Sequence, residues 1–131
     1  MLTGLRRTPL WCWWIAVVWI LSFPWVGRAN TPQWQRVHWV PFKDPADKLR
    51  DVVANVALFV PFGFSLAGRQ RPMTTLRICL IAAAVSISGE ATQLYSTKRY
   101  PSATDVTCAV VGAVAGRAAR ARQALLTNPN L

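Results

Sequence analysis

The sequence predicts an all-α fold, a bundle of four transmembrane helices formed by the whole chain of 131 residues as a single membrane domain. Hydrophobic residues make up 53% of the chain and only five residues are acidic, a balance that is unusual for disordered or soluble proteins. Four apolar runs cover residues 10–26, 52–68, 76–96 and 103–119. Each is close to the roughly 20 residues that cross a bilayer.

The first run follows the arginine pair Arg6 and Arg7. The same arrangement begins many secretory signals, and that alternative stays open for residues 1–29. The run is longer than the apolar part of most signals and holds four tryptophans between Trp11 and Trp19, which favours a retained helix. Because the first helix usually sets the orientation, the arginine pair favours both termini in the cytoplasm.

The connection over residues 27–51 is too long for a simple turn. Its portion 37–42 is apolar and aromatic, so we expect part of this loop to lie at the membrane interface. Pro41 prevents a regular helix there. The second run then carries Pro61, which predicts a kink, and Gly63, which leaves room for a neighbouring helix.

Small residues mark one face of the fourth run. Gly112 and Gly116 are four residues apart, a spacing that lets another helix approach closely. We expect this face to pack inside the bundle. Self-association of two copies through the same face is the alternative.

Scarce polar residues recur at one level of the predicted bundle. Glu90 and Gln93 share a face of the third helix, Asn55 and Asp105 lie near the outer starts of the second and fourth, and Arg99 lies between the last two runs. Inserting an acidic group near the membrane centre costs about 2.5 to 3.5 kcal/mol of free energy, so we expect Glu90 to have a function that offsets this cost. We predict that these five residues bind a ligand. Pairing of Glu90 and Asp105 with Arg99 and Lys98, purely to lock the helices, is the alternative.

The composition argues against several other functions. The net charge of +10 comes from basic residues in tails and connections, where membrane proteins keep them, so nucleic acid is not an expected partner. Cys12, Cys79 and Cys108 lie inside apolar runs without metal-binding spacing, and His38 is the only histidine. We therefore expect neither a metal site nor a cofactor. No nucleophile paired with a base identifies a catalytic residue.

An ordered set of short motifs is similar to the VanZ-like membrane proteins over about residues 37–117. The motifs are Val40-Pro41-Phe42, the segment 55–63 (NVALFVPFG), Glu90 with Gln93, Arg99, Asp105, and Gly112 with Gly116. By position, the resemblance makes Asn55, Pro61, Gly63, Glu90, Gln93, Arg99, Asp105 and Gly112 characteristic of the family.

Two positions depart from the pattern of that family. His38 and Ala109 stand where members often have asparagines. If the second of these asparagines helps to hold a ligand, this chain holds it differently or not at all. The resemblance implies a small multi-pass protein of the bacterial cytoplasmic membrane, in a family associated with reduced susceptibility to the glycopeptide antibiotic teicoplanin.

Three functions agree with these observations. The leading hypothesis is a non-enzymatic protein of the cell envelope whose outer-facing polar site recognises a lipid-linked wall precursor or a glycopeptide, in contact with membrane lipids. The second is an intramembrane enzyme acting on a polyprenyl or phospholipid headgroup, with Glu90 as general base and Arg99 stabilising charge. The third is a structural helper that packs on another envelope protein through its Gly112–Gly116 face.

Overall fold

The computed structural model describes residues 10–43, 49–68 and 73–128. Within these ranges the chain is helical and its only β-type pairings are two isolated bridges, in agreement with the predicted all-α class. The elements are α1 (Leu10–Ser22), a short 3-10 turn at Trp34–Arg36, α2 (Leu49–Ala67), α3 (Thr75–Gln93) and α4 (Ala103–Thr127).

The helix bounds differ from the predicted runs, since α2 begins at Leu49 instead of residue 52 and three helices end elsewhere by three residues or more. The first helix stops at Ser22 instead of residue 26, two residues before Pro24, a residue type that disfavours helical conformation just before it. The third stops at Gln93 instead of residue 96, although the apolar run continues. The fourth extends eight residues beyond residue 119 because alanine, arginine, glutamine and leucine all favour helix.

The helices α2 and α3 are long and apolar enough to cross a membrane, judged by length and composition alone. The described part of α1 has 13 residues, and α4 carries arginines in its second half. The four-span arrangement and its orientation therefore stay predictions.

The two helices α2 and α4 run parallel and touch through their backbones. A methyl group added to Gly112 would lie 2.2 Å from the Val56 carbonyl oxygen, and one added to Gly116 would lie 1.9 Å from that of Val60. On α2, Gly63 meets α4 in the same way. Gly63, Gly112 and Gly116 thus lie where α2 and α4 approach most closely, and α2 covers this face of α4.

The helix α2 is continuous through Pro61, and the Ser65 hydroxyl donates a hydrogen bond of 2.7 Å to the Pro61 carbonyl. The predicted kink stays a prediction. Side chains from all four helices form the apolar core below the candidate site: Val18 from α1, Phe59, Phe62 and Leu66 from α2, Ile78, Ala82 and Val85 from α3, and Ala109 and Ala113 from α4. The first helix is therefore part of the fold.

Residues 23–43 fold back over one end of the bundle and are held there by backbone hydrogen bonds. The Ala29 and Gln33 amides donate to carbonyls of the turn that follows α3, and the His38 amide donates to the Pro101 carbonyl. The Ala103 amide, at the start of α4, donates in turn to the His38 carbonyl. The predicted interfacial loop is thus an ordered cover, on which the side chain of Trp39 is 71% exposed.

Candidate functional site

The five predicted ligand-binding residues meet around one cavity of about 270 Å³ at the same end of the bundle. Asn55 comes from α2, Glu90 and Gln93 from α3, Arg99 from the connection between α3 and α4, and Asp105 from the first turn of α4. Apolar side chains line the rest of the cavity, chiefly Val18, Leu21, Leu58 and Phe59. We call this space the polar cavity.

Glu90 is buried and hydrogen-bonded through both carboxylate oxygens. Its Oε1 accepts 3.1 Å from Nε2 of Gln93, and its Oε2 accepts 2.8 Å from the backbone amide of Ser102. The first bond joins two residues of α3, and the second ties α3 to the start of α4. Because both acceptor atoms are engaged, the position of Glu90 is set by the two elements that bear its donors.

Asn55 and Asp105 form the opposite side of the polar cavity. The Asn55 amide donates to Oδ1 of Asp105, which links the second turn of α2 to the first turn of α4. The carboxyl groups of Asp105 and Glu90 also interact directly. Asp105 lies in the first turn of α4, at the positive end of the helix dipole, and this end of a helix stabilises a negatively charged side chain. The three residues form one continuous polar chain across α2, α4 and α3.

Arg99 lies at the mouth of the cavity with an exposed side chain. Its Nη1 donates 2.6 Å to the carbonyl of Leu21 near the end of α1, and its backbone amide donates 3.0 Å to the hydroxyl of the buried Ser96. Arg99 therefore joins α1 to the turn after α3. Glu90 accepts its hydrogen bonds from Gln93 and Ser102, and the alternative in which Arg99 and Lys98 pair with the carboxylates stays a prediction.

A second space of about 320 Å³ continues from the polar cavity toward the end of the bundle. It shares Asn55, Gln93, Arg99 and Asp105 with the first and adds His38, Asp51, Tyr100, Ser102 and Thr104. The side chain of Asp51 is 52% exposed and pairs with Arg50 across 3.3 Å. The polar groups thus extend from a buried carboxylate at Glu90 to the surface.

Sequence reasoning missed two residues that hold this region together. Arg36 donates through Nη1 to Gln33 and to the carbonyls of Ser96 and Thr97, and its guanidinium lies 4.4 Å from the centre of the Tyr100 ring. It fastens the cover to the connection that carries Arg99. No pattern in the sequence distinguishes Arg36 from the other basic residues of its loop.

Ser102 is the second missed residue, and the sequence does carry a signal for it. Its hydroxyl accepts from the backbone amide of Thr104 and caps α4, while its own amide donates to Glu90. The segment 102–105, Ser-Ala-Thr-Asp before an apolar run, has the pattern of a helix-capping sequence. The capping residue thus also contributes to the candidate site.

The two departures from the family pattern have different surroundings. The ring of His38 stacks on that of Tyr100 at 5.3 Å and lines the outer space. Ala109 is fully buried in the apolar core and brings no polar group to the site. Among the described residues, no three His, Cys, Asp or Glu side chains are grouped so as to hold a metal ion.

Two helices long and apolar enough to cross a membrane, with a buried polar chain at one end of the bundle, are typical of a small membrane protein. The model of the VanZ/LLP1 family matches residues 9–120, and the chain belongs to this family. The match includes α1, so the family region begins earlier than the residues 37–117 expected from motifs. No curated protein and no solved structure matches the chain.

Proposed function

We propose that this VanZ-family protein recognises the polar headgroup of an amphiphilic envelope molecule in the polar cavity, from the outer side of the cytoplasmic membrane. One observation carries the proposal. Five polar residues that are scarce in the chain come from three helices and a connection to line a single cavity. Such a set of convergent polar groups in an otherwise apolar space is typical of ligand sites.

The arrangement suggests a division of roles. Arg99, exposed at the mouth, offers the planar donor pair that suits a phosphate or carboxylate. Asn55 and Asp105 provide an amide and a carboxylate deeper inside, while Glu90 holds the start of α4 in place. A bound headgroup would therefore carry an anionic group near Arg99 and hydrogen-bonding groups near Asn55.

The apolar lining supports an amphiphilic ligand. Leu21 and Val18 of α1 and Leu58 and Phe59 of α2 form the walls next to the polar groups. Lipid-linked wall precursors combine a phosphate with a long hydrocarbon chain, and lipophilic glycopeptides combine a peptide with an acyl chain. Binding of either would offer a route to reduced teicoplanin susceptibility, the association implied by the family.

The test is a binding measurement on the full chain in lipid nanodiscs, with a polyprenyl-diphosphate wall precursor and with teicoplanin as separate ligands. Arg99→Ala removes the cation at the mouth, and we expect about tenfold weaker binding of the ligand that uses it. Lys98→Ala is the matched control, because Lys98 is exposed next to Arg99 and lines neither space. Binding that is unchanged in both Arg99→Ala and Glu90→Gln would show that the site is misassigned.

An intramembrane enzyme is the second candidate, favoured by the contact between the carboxyl groups of Glu90 and Asp105 close to Arg99. Two carboxyl groups beside a guanidinium could transfer protons and stabilise charge on a headgroup. Incubation of the purified chain with labelled polyprenyl phosphates and phospholipids decides between the two. A new product that disappears in Glu90→Gln supports catalysis, and its absence leaves recognition as the function.

A further inference from the structure

A separate space at the opposite end of the bundle carries only one kind of charge. It has a volume of about 350 Å³ and lies between the end of α2 and the second half of α4. Arg117 and Arg120 are its charged residues, and the rest of its lining is small or apolar, including Ala67, Gly68 and Met73. We call this space the arginine cavity.

The arginine cavity is distant from the polar cavity. Both Asn55 to Ala67 and Asp105 to Arg117 are twelve residues of helix, which correspond to about 18 Å. Because α2 and α4 are parallel, the two cavities lie at the two ends of the same helix pair. In a hydrocarbon layer of roughly 30 Å, a site at each end of this pair would face a different leaflet.

The sequence segments that carry and face these arginines contain no acidic side chain. The five acids occupy positions 44, 47, 51, 90 and 105, so residues 52–89 and 106–131 contain none. The guanidinium of Arg120 donates 3.1 Å to the neutral Gln123 and lies 5.2 Å from the centre of the Phe64 ring. Within the described part of the chain, no hydrogen bond or ion pair engages Arg117, although it is half-buried.

The geometry points to an external anion, and we propose that the arginine cavity binds the phosphate of an anionic lipid headgroup. Two guanidinium groups at one cavity suit the oxygens of a phosphate. Basic pockets between helices near a membrane surface bind anionic headgroups.

An orientation signal is a simpler explanation for these arginines, and it predicts a different result for their substitution. If the arginines serve only to keep this end of the chain on the inner side of the membrane, then Arg117, Arg120 and Arg122 are equivalent. The structure separates them, because Arg122 is exposed and does not line the cavity. Arg122 is therefore a matched control on the same helix, with the same change in charge.

The experiment titrates the full chain, purified in a neutral detergent, with phosphatidylglycerol, with zwitterionic phosphatidylcholine and with inorganic phosphate. Binding is followed by native mass spectrometry and by the shift in unfolding temperature. We expect phosphatidylglycerol to bind and stabilise the protein, and Arg117→Gln to weaken that binding about tenfold. Arg122→Gln is expected to change it by less than about twofold, as for an exposed charge.

The role of Arg120 is tested with a conservative substitution, because the Arg120 side chain packs on the Phe64 ring and against Gly68. Arg120→Lys keeps the charge and loses the planar donor pair, so weaker lipid binding with unchanged folding supports the proposal. If Arg117→Gln and Arg122→Gln weaken phosphatidylglycerol binding equally, the proposed site is wrong and the lipid is attracted by the overall positive charge. Binding of inorganic phosphate as tight as that of phosphatidylglycerol would overturn the lipid assignment. Neither outcome bears on the polar cavity.

Discussion

Replacing Gly116 by alanine tests whether backbone contact between α2 and α4 is needed. The added methyl carbon would lie 1.9 Å from the Val60 carbonyl oxygen and 2.7 Å from the Phe64 amide nitrogen. Ordinary contact begins near 3.4 Å, so the helices must separate by about 1.5 Å at this level. Both atoms belong to the main chain and cannot move aside by a change of rotamer.

Two effects of opposite sign determine how much Gly116→Ala changes the free energy of unfolding. Alanine is favoured over glycine inside a helix by about 1 kcal/mol. Overpacking costs about 1 to 3 kcal/mol, and we expect the upper part of this range because the obstacle is backbone. The net expectation for Gly116→Ala is a loss of about 1 to 2 kcal/mol in the free energy of unfolding.

Thermal or denaturant unfolding of the detergent-solubilised chain measures this loss. Ala115→Val is the control, because Ala115 is the neighbouring residue on the exposed side of α4 and its extra methyl groups meet no helix. Wild-type stability in Gly116→Ala would refute the backbone contact. Gly112→Ala should in addition weaken ligand binding, since its obstacle is the carbonyl of Val56, next to Asn55.

Three further predictions concern the cover, the helix cap and the core. Arg36→Gln removes hydrogen bonds to the carbonyls of Ser96 and Thr97, so amide hydrogen exchange should become faster in residues 23–43 and 94–102 and stay unchanged in α2. Ser102→Ala removes the cap of α4 and should lower stability by about 0.5 to 2 kcal/mol in unfolding experiments, whereas Ser102→Thr, which can also cap, should largely restore it. Cys108 is 1% exposed, so its thiol should resist a maleimide reagent in the folded protein and react after denaturation, and early labelling would contradict the packing of α4.

The helices, and the polar residues that line one cavity at their ends, could be predicted from the sequence. Apolar runs near the length of a membrane span mark the helices because few other structures bury so many consecutive apolar residues. Polar residues inside such runs are costly, so Glu90 and Asn55 are conspicuous. The spacing of three residues predicted that Gln93 lies beside Glu90 on one face of the third helix. Because the fourth helix was expected to run in the opposite direction to the third, Asp105 at its start was predicted to lie near Glu90.

The cover over the polar cavity could not be predicted, because backbone hydrogen bonds hold most of it. Amides such as those of Ala29 and His38 are available at every residue and leave no pattern of side chains. No sequence pattern predicts that the Arg36 side chain bonds to the carbonyls of Ser96 and Thr97 either. The end of α3 was missed for a related reason, since Leu94 and Tyr95 continue the apolar run while the backbone already turns.

The contact between α1 and α3 was also invisible in the sequence, although glycine provides it. A methyl group on Gly89 would lie 2.7 Å from Oγ of Ser22, so α1 packs closely on α3 just beside Glu90. A lone glycine in an apolar run is ambiguous, because it is tolerated in many helices. The glycines that gave a usable signal were the pair on α4, with their spacing of four, and Gly63 on α2.

The walls of the polar cavity are held in two different ways, and this bears on how a ligand could reach it. Backbone contacts at Gly112 and Gly116 hold α2 against α4. Near the cavity, α1 packs on α3 at Gly89 and is also attached through side chains, by the bonds from Trp19 to Ser88, from Thr92 to the Ser22 carbonyl and from Arg99 to the Leu21 carbonyl. Side-chain hydrogen bonds contribute about 1 kcal/mol each, so the bond from Arg99 supplies only part of what holds α1. An anion that draws Arg99 away from Leu21 would remove that part, and ligand binding would then be coupled to how firmly the end of α1 is attached.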